Sequence, residues 1–144
     1  MLKVLIAEDD LLIAGMIEEA LVEHGYEVCG IARTVAEGIA LGRLHKPDLA
    51  ILDMRLADGG LGTDIACQLV HARLGILYAT GNVSQVLRTV AEGDACISKP
   101  YRSKDLLRAL DIVAGIISTG IASPPFPRGF QLLDGAIRIG PSHG

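Results

Sequence analysis

Short apolar runs alternate with amphipathic segments along most of the chain. Leu2–Ala7 is mostly apolar, which is typical of a strand buried on both faces. Leu11–His24 has apolar residues at helical spacing and is followed by Gly25, so the pattern predicts a helix that ends at this glycine. The other predicted strands are Glu27–Ala32, Leu49–Leu52, Ile76–Ala79 and Ala95–Ser98. The other predicted helices run from Thr34 to about Leu44, from Thr63 to Ala72, from Asn82 onward and from Ser103 to about Ser118.

Polar residues at the predicted helix starts support these boundaries. Thr34 and Glu37 have the spacing of a capping box, in which each side chain binds a free backbone N–H at the start of a helix. Asp10 and Ser103 stand where N-caps of the first and last helices are expected. The predicted helices therefore begin at residues whose side chains can accept hydrogen bonds from the first turn.

Five strand–helix units in strict alternation predict an α/β fold. Parallel strands joined by helices need right-handed crossovers, so the topology expected is a doubly wound five-stranded parallel sheet with helices on both faces. The strand order that we predict is 2-1-3-4-5, the flavodoxin-like order. We expect residues 1–118 to form this one domain.

The C-terminal tail, residues 119–144, has a different composition. It contains four of the six prolines and both phenylalanines, Phe126 and Phe130, and it is too short for a second domain. It is also more apolar than a typical disordered tail. Three possibilities stay open for it: packing on the domain, docking on a partner, or a flexible extension.

Composition and charge narrow the functional classes. The 144 residues suit one domain, half of them are apolar and the net charge is −4, without the basic stripe of a nucleic-acid-binding protein. No segment reaches the roughly 18 apolar residues of a membrane span, so we expect no membrane association. The three cysteines are odd in number and form no Cys-x-x-Cys pair, which favours a cytoplasmic location.

Polar side chains follow four of the predicted strands at the point where each strand ends. Glu8 and Asp9 follow the first strand, Asp53 the third, Thr80 the fourth and Lys99 the fifth. The carboxyl ends of parallel strands lie along one edge of the sheet, and the winding direction reverses between the first and third strands, so we expect the three carboxylates to be neighbours.

Clustered carboxylates repel one another unless a cation is present. Mg²⁺ is the natural candidate, because it prefers oxygen ligands and usually pairs one or two carboxylates with a phosphate. Lys99 adds a positive charge and Thr80 a hydroxyl, so the set can hold the oxygens of a phosphoryl group beside an acceptor carboxylate. Singly these residues have simpler interpretations, as helix caps or turn residues; together they indicate phosphoryl chemistry.

Four segments of the sequence form a combination of motifs: Val4–Asp10, Asp48–Met54, Tyr78–Gly81 and Ile97–Pro100. On these segments the sequence resembles the receiver domains of two-component response regulators over about Leu2 to Ser118. The resemblance implies that Asp53 is the phosphoacceptor, that Thr80 and Lys99 contact the phosphoryl group, and that the Lys99–Pro100 bond is cis. It also implies that Glu8, Asp9, Asp53 and the main-chain carbonyl of Arg55 bind Mg²⁺.

The chain departs from the usual receiver pattern close to Lys99. Cys96 occupies the position of the aromatic residue that rotates on phosphorylation, so Tyr101 becomes an alternative reporter. Tyr-Ala-Thr-Gly resembles the Phe-Ala-Thr-Gly segment of an atypical, often stand-alone receiver subgroup. Arg55 and Asn82 stand at the two positions that tune the rate of dephosphorylation in this family.

The leading hypothesis is a stand-alone response regulator receiver, not an enzyme. It would receive its phosphoryl group from a histidine kinase or a histidine phosphotransfer protein. Output would pass to a protein partner or through a homodimer formed by the fourth helix, fifth strand and fifth helix.

Three alternatives remain. One is a phosphate-handling hydrolase with an aspartyl nucleophile, although Arg55 stands where its second carboxylate would be. The others are a binding module that has lost phosphorylation, and a flavin-binding domain, which would need a phosphate-binding loop after the first strand.

Overall fold

The computed structural model describes residues 1–69, 73–88, 93–133 and 138–139. Five helices and eight strands are found in these residues, and their strand–helix alternation follows the predicted order. The strands are β1 (Lys3–Ala7), β2 (Glu27–Ala32), β3 (Leu49–Asp53), β4 (Gly75–Thr80), β5 (Ala95–Ser98), β6 (Ile121–Ala122), β7 (Phe130–Leu132) and β8 (Arg138–Ile139). The helices are α1 (Leu11–Glu23), α2 (Val35–His45), α3 (Gly62–Leu69), α4 (Val83–Arg88) and α5 (Ser103–Thr119). The last three residues of the predicted third helix, 70–72, lie outside the described residues.

The main sheet confirms the predicted doubly wound topology. Its order is β2-β1-β3-β4-β5-β7, in which the first five strands are parallel and β7 pairs with β5 in the antiparallel direction. Strands β1, β3 and β4 are almost entirely buried because helices cover both faces of the sheet. The predicted order 2-1-3-4-5 is therefore extended by a sixth strand from the C-terminal tail.

Two hydrophobic clusters hold the layers together, one on each face of the sheet. The first joins Ile51 and Ile97 to residues of α1 and α5, such as Ile17 and Leu110. The second joins the opposite face of the strands to residues of α3, including Ile65. Because helices pack on both faces of the sheet, the carboxyl ends of its strands form a rigid edge.

Local sequence explains the starts of α1 and α2, and the predicted start of α5 needs a correction. The Asp10 carboxylate accepts hydrogen bonds from the N–H groups of Leu12 and Ile13, and the Thr34 hydroxyl accepts one from Glu37 N–H. Ser103 was the predicted cap of the last helix, and this was wrong: α5 begins at Ser103, and Arg102 occupies the N-cap position without a side-chain cap.

The described part of the tail packs on the domain. Strand β7 pairs with β5, and β6 pairs with β8 in a separate two-stranded sheet. Arg108 of α5 donates hydrogen bonds to the carbonyl oxygens of Ser123 and Pro125, at 2.7 and 3.1 Å. None of the described helices is long and apolar enough to cross a membrane.

Candidate functional site

Three carboxylates meet at the carboxyl ends of β1 and β3. Glu8 and Asp9 follow β1, and Asp53 is the last residue of β3, which pairs directly with β1. One carboxylate oxygen from each lies within 4.8 Å of the other two. Glu8 is 3% exposed, and one of its oxygens accepts a hydrogen bond from Asp10 N–H, so its carboxylate is held in place.

Lys99 supplies the positive charge beside this acidic cluster. Its ammonium nitrogen lies 2.9 Å from Glu8 Oε1 and 3.4 Å from Asp53 Oδ2. Burial by itself lowers the pKa of Lys99, but the hydrogen bond to Glu8 and the charges of both carboxylates outweigh it, so its pKa is raised above the ordinary value. Lys99 is therefore charged at neutral pH.

Thr80 is the last residue of β4 and is 2% exposed. It pairs in register with Ser98, and its carbonyl oxygen accepts a hydrogen bond from Lys99 N–H at 2.8 Å. The Thr80 hydroxyl accepts a hydrogen bond from Asn82 N–H at 3.0 Å, which fixes the turn into α4. Its own O–H hydrogen is then available for an acceptor such as a phosphoryl oxygen.

The loop after Asp53 contains a glycine that the sequence analysis did not single out. A Cβ at Gly62 would collide with the Asp53 carbonyl oxygen, and Gly62 N–H donates to the Met54 carbonyl. Only glycine permits this approach, so Gly62 lets the loop fold back against the end of β3. The three glycines of the loop were the available signal, but nothing in the sequence showed which of them makes the contact.

Two further predicted residues lie at the rim of the site. Arg55 is exposed and forms an isolated bridge with Leu61, which closes the loop after Asp53. Asn82 is exposed at the start of α4. The ligand role of the Arg55 carbonyl and the rate-tuning roles of these two residues stay predictions.

Cys96 and Tyr101, the two candidate reporter positions, lie on either side of the Lys99–Pro100 bond in the sequence and differ in burial. The Lys99–Pro100 peptide bond is cis. Cys96 is fully buried, and burial raises the pKa of its thiol to about 11. Tyr101 is half-buried, burial raises its pKa to about 12, and its hydroxyl has no hydrogen-bond partner among the described residues. Neither side chain is therefore ionised at neutral pH.

The donor set fits a magnesium ion. Three carboxylates within reach of one another supply hard oxygen ligands and negative charge, which is the chemistry that Mg²⁺ prefers. Lys99 contacts two of the three, so part of the charge is balanced, and a divalent cation would balance the rest. The arrangement can hold one anion of tetrahedral shape between a cation, an ammonium group and a hydroxyl.

Comparison with known proteins identifies the family that the chain resembles in sequence. The response regulator receiver domain model matches residues 4–111. The transcriptional regulatory protein PdtaR of Mycobacterium tuberculosis is 36% identical over 114 residues, which are 76% of this chain and 55% of that protein. The chain thus spans about half the length of this curated relative.

Solved structures of receiver proteins share the fold. A CheY-like receiver domain protein from Methanospirillum hungatei superposes with a TM-score of 0.69 at 31% identity, over 77% of this chain and 91% of that one. The response regulator PhyR from Brucella abortus gives a TM-score of 0.64 at 32% identity, over 71% of this chain and 43% of that one.

Proposed function

Since the chain belongs to the response regulator receiver domain family, we propose that it accepts a phosphoryl group on Asp53 in a magnesium-dependent reaction and passes the signal to a downstream partner. The observation that carries the proposal is the position of Asp53: its carboxylate lies in the cluster with Glu8 and Asp9 and 3.4 Å from the Lys99 ammonium. The family is typically a signalling domain rather than a catalytic one.

In the proposed reaction the Asp53 carboxylate is the nucleophile. One of its oxygens forms a bond to phosphorus while the P–N bond of a phosphohistidine breaks, and the leaving imidazole takes a proton from solvent. Glu8, Asp9 and Asp53, with the Arg55 carbonyl, would hold Mg²⁺, which would offset the charge of the carboxylates and supply a Lewis acid for the phosphoryl group.

Lys99 and Thr80 would hold the other phosphoryl oxygens. The Lys99 ammonium already lies beside the acceptor carboxylate, so it needs a small movement to reach a group attached to Asp53. The Thr80 hydroxyl can donate to an oxygen of the same group. Each contact would stabilise the negative charge on the phosphoryl oxygens of the acyl phosphate.

The donor would be a histidine kinase or a histidine phosphotransfer protein. A groove of about 390 Å³ runs from Lys99 and Pro100 to Ile13 and Met16 of α1, and its walls are mainly apolar. Leu12, on the same helix, is 81% exposed. A protein that brings a histidine to Asp53 must cover the surface around Lys99, so these exposed apolar residues suit a docking helix of the donor.

Transfer from acetyl phosphate with Mg²⁺, read by intact mass, tests the proposal. The wild-type protein is expected to gain one phosphoryl group, and Asp53→Asn to gain none. Asp58→Asn is the matched control, because Asp58 is an exposed aspartate of the neighbouring loop outside the acidic cluster. Undiminished phosphorylation of Asp53→Asn would refute the proposal.

A second variant separates the donor surface from the chemistry. Leu12→Ser is expected to slow transfer from a histidine donor and to leave transfer from acetyl phosphate unchanged. Equal rates from the histidine donor in both proteins would refute docking at α1 while leaving the role of Asp53 intact.

The proposal also includes the cellular setting and the output. The three free thiols favour a reducing cytoplasm. Output would pass to a protein partner or through a homodimer that involves α4, β5 and α5. The comparisons give no support to a hydrolase, and Arg55 stands two residues after Asp53 where such an enzyme would need a carboxylate.

A further inference from the structure

The outer edge of β5 is covered by the C-terminal tail. In the β5–β7 pair, Ala95 faces Leu132, Cys96 faces Gln131 and Ile97 faces Phe130. Phe130 and Leu132 pack on the cluster that includes α5, whereas Leu133 packs on the opposite cluster, which contains Cys96. Residues 121–133, which we call the strap, therefore contact both faces of the sheet edge.

The strap is held by contacts at both ends of β7. Arg108 donates to the carbonyls of Ser123 and Pro125 before the strand. After it, Leu133 N–H donates to the Asp94 carbonyl at 3.1 Å. The centroids of the Phe126 and Phe130 rings lie 5.2 Å apart, so an aromatic pair joins the segment before β7 to the strand itself.

One contact joins the strap directly to the phosphorylation site. Ser98 N–H donates to the Gly129 carbonyl at 3.1 Å, and the next residue, Lys99, donates its N–H to the Thr80 carbonyl at 2.8 Å. Gly129 has φ +79°, and a Cβ there would collide with the Ser98 hydroxyl, so the approach is close. The Ser98–Lys99 backbone thus links the strap to both residues that would bind the phosphoryl group.

This link matters because the usual reporter is missing. Cys96 is fully buried and small, so the movement of Thr80 cannot be passed to a rotating ring at that position. A movement of Thr80 and Lys99 would next displace the backbone of β5, whose outer edge pairs with β7. A shift of the Ser98–Lys99 backbone by a few tenths of an ångström is enough to weaken the Ser98–Gly129 hydrogen bond.

We propose that the strap is the phosphorylation-responsive element of this protein: β7 closes the β5 edge while Asp53 is unmodified and leaves it when Thr80 and Lys99 bind the phosphoryl group. The inference rests on the proposed function of Asp53. Release would expose an unpaired strand edge and the apolar surface under Phe130 and Leu132, which is the surface an output partner would meet.

Amide hydrogen exchange measured by NMR tests the release. The full chain is compared with and without Mg²⁺ and beryllofluoride, a stable mimic of an acyl phosphate. Exchange of the Ser98 and Leu133 amides is expected to rise about tenfold, as for a local opening equilibrium shifted by one order of magnitude, while the Ile51 amide in the centre of the sheet is unchanged. Asp53→Asn should show no rise.

Two outcomes separate this inference from the function on which it rests. Failure of acetyl phosphate to phosphorylate the wild-type protein would refute the proposed function itself. Normal phosphorylation and mimic binding, with unchanged exchange at Ser98 and Leu133 or an equal rise at Ile51, would refute only the release of the strap.

Variants of the strap contacts give an independent test. Arg108→Gln removes the two guanidinium hydrogen bonds to the strap and should raise exchange at Ser98 and Leu133 without any mimic. Arg43→Gln, at an exposed position of α2, should not. Gly129→Ala is a second variant, because a Cβ there would collide with Ser98, and it should act like Arg108→Gln. Unchanged exchange in both strap variants would overturn the proposal.

Discussion

The centre of the sheet and its β5 edge differ in how closely they follow the receiver pattern. At the centre, β1 and β3 are buried on both faces. Glu8 and Asp9 follow β1, and Asp53 is the last residue of β3, as in the motifs of the family. At the edge, Cys96 replaces an aromatic residue, and a strand from the tail pairs with β5. In our proposals the centre carries out the phosphorylation chemistry and the β5 edge reports it, so the two regions can be tested separately.

The largest expected contrast between the centre of the sheet and its β5 edge is in how much a truncated side chain lowers the free energy of unfolding. Ile51 is 1% exposed in β3, so Ile51→Ala should lower the free energy of unfolding by about 2–5 kcal/mol. Phe130 is only half-buried, so Phe130→Ala should cost about 1 kcal/mol, a part of the value for full burial. Denaturant unfolding followed by circular dichroism measures both. Equal losses would mean that the strap is as integral to the core as β3.

The next contrast concerns thiol reactivity. At pH 8 buried Cys96, with its pKa raised to about 11 from 9.0, has about a hundredfold less thiolate than an unshifted thiol and should resist alkylation, whereas exposed Cys67 should react. Peptide mapping by mass spectrometry reads both sites, and Cys67→Ser is the control.

The same shift makes stability depend on pH. The pKa of Cys96 is higher in the folded protein than in the unfolded chain, so the stabilisation by this buried thiol is complete below about pH 9 and is lost as pH rises through about 11.

A smaller effect is expected on metal affinity. Asp9→Asn removes one carboxylate from the cluster and should weaken Mg²⁺ binding by at least about tenfold. Removing a residue that only hydrogen-bonds a metal ligand already lowers metal affinity by about tenfold or more, and Asp9 would be a ligand itself. Titration of amide shifts with Mg²⁺ measures the affinity. Glu18→Gln, at an exposed position of α1, should leave it unchanged. An equal loss in the control would point to general charge attraction instead of a site.

The smallest effect is expected at Tyr101. Its hydroxyl is buried and has no partner among the described residues, so Tyr101→Phe should raise the free energy of unfolding by about 1 kcal/mol. Denaturant unfolding measures the gain. A loss of stability instead would show that the hydroxyl forms a hydrogen bond in the folded protein.

Much of the fold and of the site followed from local sequence. The alternation of apolar runs and helical segments predicted the five parallel strands, because the period of apolar residues reports which surfaces are buried. Strand ends then indicated that Glu8, Asp9, Asp53, Thr80 and Lys99 share one edge. The cap of α5 was wrong because Ser103 and Arg102 differ by one position, which helix-start patterns do not resolve.

The sequence by itself determined the parallel sheet and the residue types at its carboxyl edge, since both depend on local periodicity and on the rule that parallel strands end together. The tertiary structure decided that Gly62 lies against Asp53 and that Phe130–Leu132 forms a sixth strand. A three-residue antiparallel strand in a proline-containing tail has no periodicity long enough to read. Its pairing depends on an open β5 edge more than thirty residues away, and such a contact exists only after the chain has folded.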